Sequence, residues 1–193
     1  MKTAIVVSCL LVGSSLVLKD RTEAGKTMSV TGYKTSAAKR SAATGPVGSI
    51  HIVIDKSNYE LYVYDSKGWY ATYPVVFGNS TLADKRMEGD RCTPEGSFRI
   101  VHKRVHDKWT RYMGLDYPTR ESIDKFNQLK KRGAIPASAS PGGGIGIHGT
   151  FPHEDFVVDR YKNWTNGCIA LKRSDVEELY RYVPTGTPVR IQK

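Results

Sequence analysis

The feature that most constrains the fold is an alternation of apolar and polar residues that begins at Ser49. The segment 49–78 reads SIHIVIDKSNYELYVYDSKGWYATYPVVFG. Residues two apart share one face of a strand, so Ile50, Ile52 and Ile54 form an apolar face. The turn-forming segments DKSN and DSKG separate three short strands. The sequence therefore predicts β-hairpins, because connections this short require antiparallel pairing.

Further elements follow along the chain. After the turn residues TPEG, the alternating segment 97–105 (SFRIVHKRV) predicts another strand. The segment 119–133 repeats apolar residues at three-residue spacing before Gly133 and predicts a helix inserted into the β-rich domain. The segment 145–149 (IGIHG) predicts a short strand whose end carries His148.

The C-terminal part predicts one helix and one strand. Ser174 and Glu177 have the spacing of a capping box, which predicts a helix from Ser174 to about Val183. PTGTPVRIQK then predicts a turn and a final strand. No internal repeat is visible at periods of about 20 to 50 residues. We therefore expect one domain over 49–193.

The N-terminal part differs from this domain in composition. Lys2 precedes an uncharged, mostly apolar run over 3–18, which is typical of an export signal and somewhat shorter than the roughly 20 apolar residues of a spanning helix. No clean cleavage site follows, so 1–21 is predicted as a signal peptide or a membrane anchor. The segment 22–48 has hardly any large apolar residues and predicts a flexible linker. The sequence thus predicts an exported protein of the cell envelope, in the periplasm or at the outer face of the cytoplasmic membrane, with membrane contact only through this N-terminal part.

The positive charge is spread over the whole chain. Residues 1–48 hold seven Lys/Arg and two Asp/Glu, and so carry +5 of the net charge of +10. Half of the excess therefore lies outside the predicted domain, and no compact basic stripe with interleaved aromatic residues is present, which argues against nucleic acid as a partner. An anionic envelope polymer or membrane face fits an exported basic protein better.

Two residues could carry chemistry. His148 ends a strand and has an ordinary pKa suited to proton transfer, and Cys168 follows Gly167 in TNGC, where the amides of Asn166, Gly167 and Cys168 could converge on an oxyanion. The pattern also fits a structural histidine and a small thiol in a buried strand. Cys92 and Cys168 could instead form a disulfide in an oxidising compartment. The residues alone leave these interpretations open.

Three separated motifs resemble one family. IHGT (147–150), WTNGCIAL (164–171) and TPEG (93–96) are similar to the YkuD-type L,D-transpeptidase catalytic domain, in which a histidine precedes Ser/Thr-His-Gly-Cys after a spacer. Here the spacer 149–164 has 16 residues. The resemblance extends over nearly all of 49–191 and implies a mainly β fold, a mixed β-sandwich with one inserted and one C-terminal helix. Asn166 replaces the family's histidine and Ala170 its arginine, which leaves the contacts of those side chains in question.

The resemblance also implies roles. Cys168 would attack a peptidoglycan stem peptide and His148 would be the general base, with Gly149 orienting the imidazole and Asn166 and Gly167 forming the oxyanion site. The inserted segment would cover the cleft. The expected substrate-binding residues are Tyr117, Trp109 and Thr165. No metal or organic cofactor is expected, and the acyl acceptor would be a second stem or an envelope protein.

Two other functions remain open from the sequence. The same Cys-His pair could serve a murein amidase or hydrolase. A non-catalytic wall-binding module would keep Cys168 inert or paired with Cys92. His102 and His106 are four residues apart but lie on a predicted strand and lack the glutamate of a zinc protease, so no metal site is expected there.

Overall fold

The computed structural model describes residues 37–40, 45–78 and 80–193, so the predicted signal or anchor and most of the predicted linker lie outside the described residues. The described part is mainly β. Its elements are β1 (Ala38–Lys39), β2 (His51–Asp55), β3 (Glu60–Asp65), β4 (Gly68–Pro74), β5 (Gly96–His106), β6 (Thr110–Leu115), α1 (Arg120–Lys131), β7 (Gly146–Gly149), α2 (Phe156–Asp159), β8 (Ile169–Leu171), α3 (Arg173–Tyr182) and β9 (Pro188–Gln192).

The strands hydrogen-bond in the order β1-β4-β3-β2-β9-β5-β6-β7-β8. The predicted hairpins are present, since β2–β3 and β3–β4 pair antiparallel. Two pairs are parallel, β2–β9 and β7–β8. The last strand, β9, therefore lies between β2 and β5 and connects the N-terminal hairpins to the part of the sheet that contains His148.

One apolar core is shared by both ends of this strand order. Val63 of β3 and Ile147 of β7 belong to the same buried cluster, together with Val176 and Leu179 of α3. Strands that are distant in the hydrogen-bonding order thus face each other across the core, which confirms the predicted mixed β-sandwich. Alternate residues such as Ile52 and Ile54 point inward because side chains of a strand alternate between its faces.

The inserted helix is confirmed and its start is set by a side chain. Thr119 is the N-cap of α1, and its hydroxyl accepts a hydrogen bond from the Ser122 amide at 3.2 Å. Phe126 is the buried residue of this helix.

The predicted capping box of the C-terminal helix is wrong. α3 begins at Arg173 with Lys172 as N-cap, and the Lys172 side chain makes no capping hydrogen bond. Glu177 instead accepts a hydrogen bond from Thr110 of β6 at 2.5 Å. A tertiary contact therefore engages the Glu177 carboxylate, which the capping-box pattern assigned to the N-terminus of the helix.

Besides β1, which lies in the predicted linker, β6 and α2 were not predicted. In β6 the side chains of Thr110, Tyr112, Met113 and Leu115 are all buried, so the strand lacks the alternation that marks a half-exposed strand. α2 has only four residues, too few for a helical period to show.

The part of the predicted linker nearest to the domain is attached to it. Ala38–Lys39 pairs with β4, and the Asp65 carboxylate accepts hydrogen bonds from Arg40 Nη2 and from the Val47 amide, at 2.5 and 2.9 Å. The Asp65 side chain is inaccessible to solvent. Across the described ranges, the helices are too short or too polar to cross a bilayer.

Candidate active site

The parallel pair β7–β8 brings His148 and Cys168 to one face of the sheet. His148 is the register partner of Ala170, and Ile147 of Ile169. Cys168 immediately precedes β8, so the alternation of that strand, continued by one residue, directs its side chain to the face of Ala170 and His148. The two side chains also share a neighbour, since Tyr112, the register partner of His148, donates to the Gly144 carbonyl from which Cys168 Sγ lies 3.5 Å. Ile147 and Ile169 project to the opposite face, into the main core.

The imidazole of His148 is fixed in one tautomer. Its Nδ1 lies 2.8 Å from the carbonyl oxygen of Gly149. A carbonyl only accepts hydrogen bonds, so Nδ1 carries the proton and the lone pair of Nε2 remains available as a base.

Aromatic rings enclose this imidazole. Trp109 stacks on it at 4.2 Å between centroids and 20° between planes, and Trp164 meets it edge-on at 5.6 Å. Tyr112, its register partner on β6, stacks more distantly at 6.3 Å. His148 is 1% exposed, and burial lowers its pKa to about 4. The imidazole is therefore neutral near pH 7.

The thiol of Cys168 is also held in its neutral form. Burial raises its pKa, and its Sγ lies 3.5 Å from the carbonyl oxygen of Gly144, which accepts its weak hydrogen bond. The Tyr112 hydroxyl donates to the same carbonyl at 2.9 Å. The positive charge of Lys85 acts in the opposite direction and favours the thiolate, but burial is the larger effect.

The turn before Cys168 is closed by a threonine. The Thr165 hydroxyl donates to the Cys168 carbonyl at 2.8 Å and accepts from the Gly167 amide at 3.1 Å. Gly167 has φ of +122°, and a Cβ there would lie 2.8 Å from the Cys92 carbonyl oxygen. The position therefore requires glycine for both conformation and space.

The structure brings together most of the predicted site residues. Trp109 and Gly149 contact the imidazole, and Thr165 and Gly167 shape the turn that carries the thiol. The buried hydroxyl of Thr165 and the amide of Gly167 are already engaged in that turn.

Two predicted residues lie outside this cluster. Asn166 is exposed at the edge of a cavity of about 380 Å³. Tyr117 packs against Phe98 and donates its hydroxyl to the Pro141 carbonyl at 3.0 Å, so it supports the loop that leads to Gly144.

Sequence reasoning missed several residues of this region. Tyr112 was not identified because β6 was not predicted. Its aromatic side chain was the one signal that the sequence offered. Arg91 was also missed. Its Nη2 and Nε donate to the carbonyls of Trp164 and Thr165 at 3.2 and 3.4 Å. No local sequence pattern predicts these contacts.

Neither a Cys92–Cys168 disulfide nor a metal site at His102 and His106 is formed among the described residues. Cys92 and Cys168 are both free thiols, and Cys92 Sγ lies 3.6 Å from the Asp90 carbonyl oxygen. His102 stacks on Tyr112 and His106 stacks on Trp109. Among the described residues, no group of three or more His, Cys, Asp or Glu could hold a metal ion.

Known proteins resemble this chain over most of its length. The chain is 29% identical over 150 residues to "Probable L,D-transpeptidase YcfS" of Escherichia coli (strain K12), covering 72% of this chain and 43% of that protein. It is 26% identical over 148 residues to "Putative L,D-transpeptidase YqjB" of Bacillus subtilis (strain 168), covering 75% and 72%. The chain thus spans less than half of the length of YcfS.

A solved structure shares the fold. The helical cell shape determining protein Pgp2 from Campylobacter jejuni superposes with a TM-score of 0.53 at 23% identity, covering 75% of this chain and 48% of that one. The family model of the L,D-transpeptidase catalytic domain, YkuD, matches residues 49–191. This match covers well over half of the sequence, and the chain therefore belongs to the YkuD family of L,D-transpeptidase catalytic domains.

Proposed function

We propose that this protein is a cysteine-dependent peptidoglycan L,D-transpeptidase, in which Cys168 is the nucleophile and His148 the general base. The observation that carries the proposal is the parallel register of β7 and β8, which pairs His148 with Ala170, two residues after Cys168, and so supports a location of both side chains on one face. Family membership supports the reaction class.

The first half of the reaction is acylation. Cys168 Sγ attacks the carbonyl carbon between the third, diamino acid residue of a stem and the following D-alanine, while His148 Nε2 takes the thiol proton. The S–C bond forms and the C–N bond breaks, and the imidazolium returns the proton to the leaving amine. The product is a thioester on Cys168.

Burial determines when the proton moves. Both groups are neutral at rest, because desolvation lowers the pKa of His148 and raises that of Cys168. A preformed thiolate–imidazolium pair is therefore disfavoured, and we propose that proton transfer accompanies attack on the carbonyl. Gly149 positions the base through its carbonyl, and the amides of Asn166 and Cys168 are the candidate oxyanion donors, because the Gly167 amide is engaged by Thr165.

The second half transfers the acyl group. The side-chain amine of a second stem attacks the thioester, forms the new amide and regenerates the thiol, which yields a cross-link. An envelope protein amine is a further candidate acceptor, and water would give hydrolysis instead. Because Pgp2 is described as a helical cell shape determining protein, we extend the proposal to wall remodelling that affects cell shape, at the cell envelope.

Muropeptide analysis tests this function. The full chain is incubated with tetrapeptide-bearing muropeptides, and products are identified by mass spectrometry. Cross-linked dimers are expected from the native chain and from Cys92→Ser, and none from Cys168→Ala or His148→Gln. Shortened or released monomers without dimers would instead identify a hydrolase.

A carbapenem provides a second readout, through the intact mass of the protein. A covalent adduct is expected on the native chain and on Cys92→Ser but not on Cys168→Ala. The absence of any adduct, together with a Cys92–Cys168 disulfide, would refute the proposal in favour of a non-catalytic module.

A further inference from the structure

A cavity near Cys168 has three charged side chains in its lining. It measures about 380 Å³ and is lined by Lys85, Glu88, Gly89, Arg91, Gly142, Gly143 and Asn166. Two of the segments that frame it lead directly to the thiol. Asn166 is two residues before Cys168, and Gly143 precedes Gly144, whose carbonyl oxygen lies 3.5 Å from Cys168 Sγ. The thiol itself is not part of the lining, but these two segments connect the cavity to it.

Two of the charged residues at this cavity already have partners. Lys85 forms an ion pair with Asp90 at 2.8 Å and also donates to the Met87 carbonyl, and its side chain is only 4% exposed. The Glu88 carboxylate accepts a hydrogen bond from the Ser140 hydroxyl on the opposite loop at 2.5 Å. Lys85 is thus neutralised by its own loop, and Glu88 is held toward residue 140.

Arg91 is different. Its Nε and Nη2 donate to the carbonyls of Thr165 and Trp164, which fixes the plane of the guanidinium against the turn of the nucleophile. Within the described ranges, Nη1 has no hydrogen-bond partner and no carboxylate lies within 4.0 Å of this guanidinium. An oriented guanidinium with free N–H groups is the side chain best suited to bind a carboxylate.

We propose that Arg91 is the receptor for a carboxylate of the acyl-donor stem and so sets the register of the scissile bond over Cys168. This inference rests on the proposed function and names the part of the substrate that the site recognises. The side-chain amide of Asn166, which is exposed at the cavity edge, adds a hydrogen-bond donor for the same carboxylate. Glu88 would repel a carboxylate on its own side of the cavity, which confines the bound group to the Arg91 side.

Binding to an inactive chain tests the proposal. The full chain carrying Cys168→Ala is titrated by calorimetry with a stem tetrapeptide and with forms in which each carboxylate in turn is converted to the amide. One amide is expected to bind about tenfold more weakly than the free acid, since a charge-assisted contact at a half-open site is lost. Which amide loses affinity identifies the carboxylate, whether that of the terminal D-alanine or one further along the stem.

The same titrations with Arg91→Gln separate recognition from structural support. In that chain the free acid should bind as weakly as the sensitive amide, so the ratio of their dissociation constants falls to about one. Arg91→Lys, which keeps the charge without the fork, should give an intermediate ratio. Arg86→Gln, an exposed arginine five residues earlier that does not line the cavity, should keep the full tenfold ratio.

Three outcomes would overturn the inference. If Arg91→Gln weakens all peptides equally and preserves the tenfold ratio, Arg91 only supports the turn. If the Cys168→Ala chain binds the stem but distinguishes none of the amides, no carboxylate is read at this site. Failure to bind any stem would refute the proposed substrate itself, and with it this inference.

Discussion

The burial of His148 makes the stability of the protein depend on pH in a specific way. The folded imidazole has a pKa of about 4, whereas an exposed imidazole has 6.5. Above pH 6.5 both the folded and unfolded states leave this histidine neutral, so it contributes no pH dependence. As the pH falls from 6.5 to 4, the unfolded state binds a proton that the folded state refuses, and the folded state loses stability. The gap between the two pKa values corresponds to about 3 kcal/mol, reached below pH 4.

Asp175 acts in the opposite direction over a similar window. Burial raises its pKa to about 6, so the folded state binds a proton before the unfolded state does and gains stability on acidification. The native pH profile alone therefore mixes the two effects. The difference between the native chain and His148→Gln isolates the histidine, because Asp175 is present in both.

Urea unfolding of both chains at pH 7.5 and pH 4.5 measures this difference. The native chain should lose about 2 to 3 kcal/mol more than His148→Gln between these pH values. Trp109→Ala removes the ring that stacks on the imidazole, so its histidine pKa should rise toward 6.5 in an NMR titration. Superimposable pH profiles for the native and His148→Gln chains, or a native imidazole that titrates near 6.5, would refute the reasoning.

Two further substitutions follow from the structure. Gly167→Ala forces a positive φ and places a Cβ 2.8 Å from the Cys92 carbonyl oxygen, so it should cost about 2 kcal/mol in thermal unfolding and slow carbapenem acylation, whereas Gly143→Ala, whose Cβ meets nothing within 4 Å, should leave the unfolding temperature nearly unchanged. Lys56→Met removes an inaccessible ammonium that pairs with Glu95 at 2.6 Å and donates to the carbonyls of Ala83 and Thr93, so urea unfolding should show a loss of about 2 to 3 kcal/mol, against less than about 0.5 for the exposed Lys67→Met. Equal effects of the two substitutions in either pair would contradict the assigned contacts.

Much of the fold could be predicted where local patterns match local structure. The hairpins of β2, β3 and β4 follow from alternation and turn residues, and α1 follows from its three-residue spacing. β6 could not be predicted, because both of its faces are buried and alternation disappears. The capping box at Ser174 failed because Glu177 is drawn to Thr110, a contact between residues 67 positions apart.

The sequence by itself determined the hairpin architecture and the two residues proposed to react, since His148 and Cys168 stand in a recognisable order and spacing. Only the tertiary structure decided their environment: the parallel register that pairs His148 with Ala170, the aromatic rings that bury the imidazole, and the guanidinium of Arg91 against the turn before Cys168. The reason is physical. Alternation and turn chemistry act between neighbours in the chain, whereas desolvation and charge act between groups that only folding brings together.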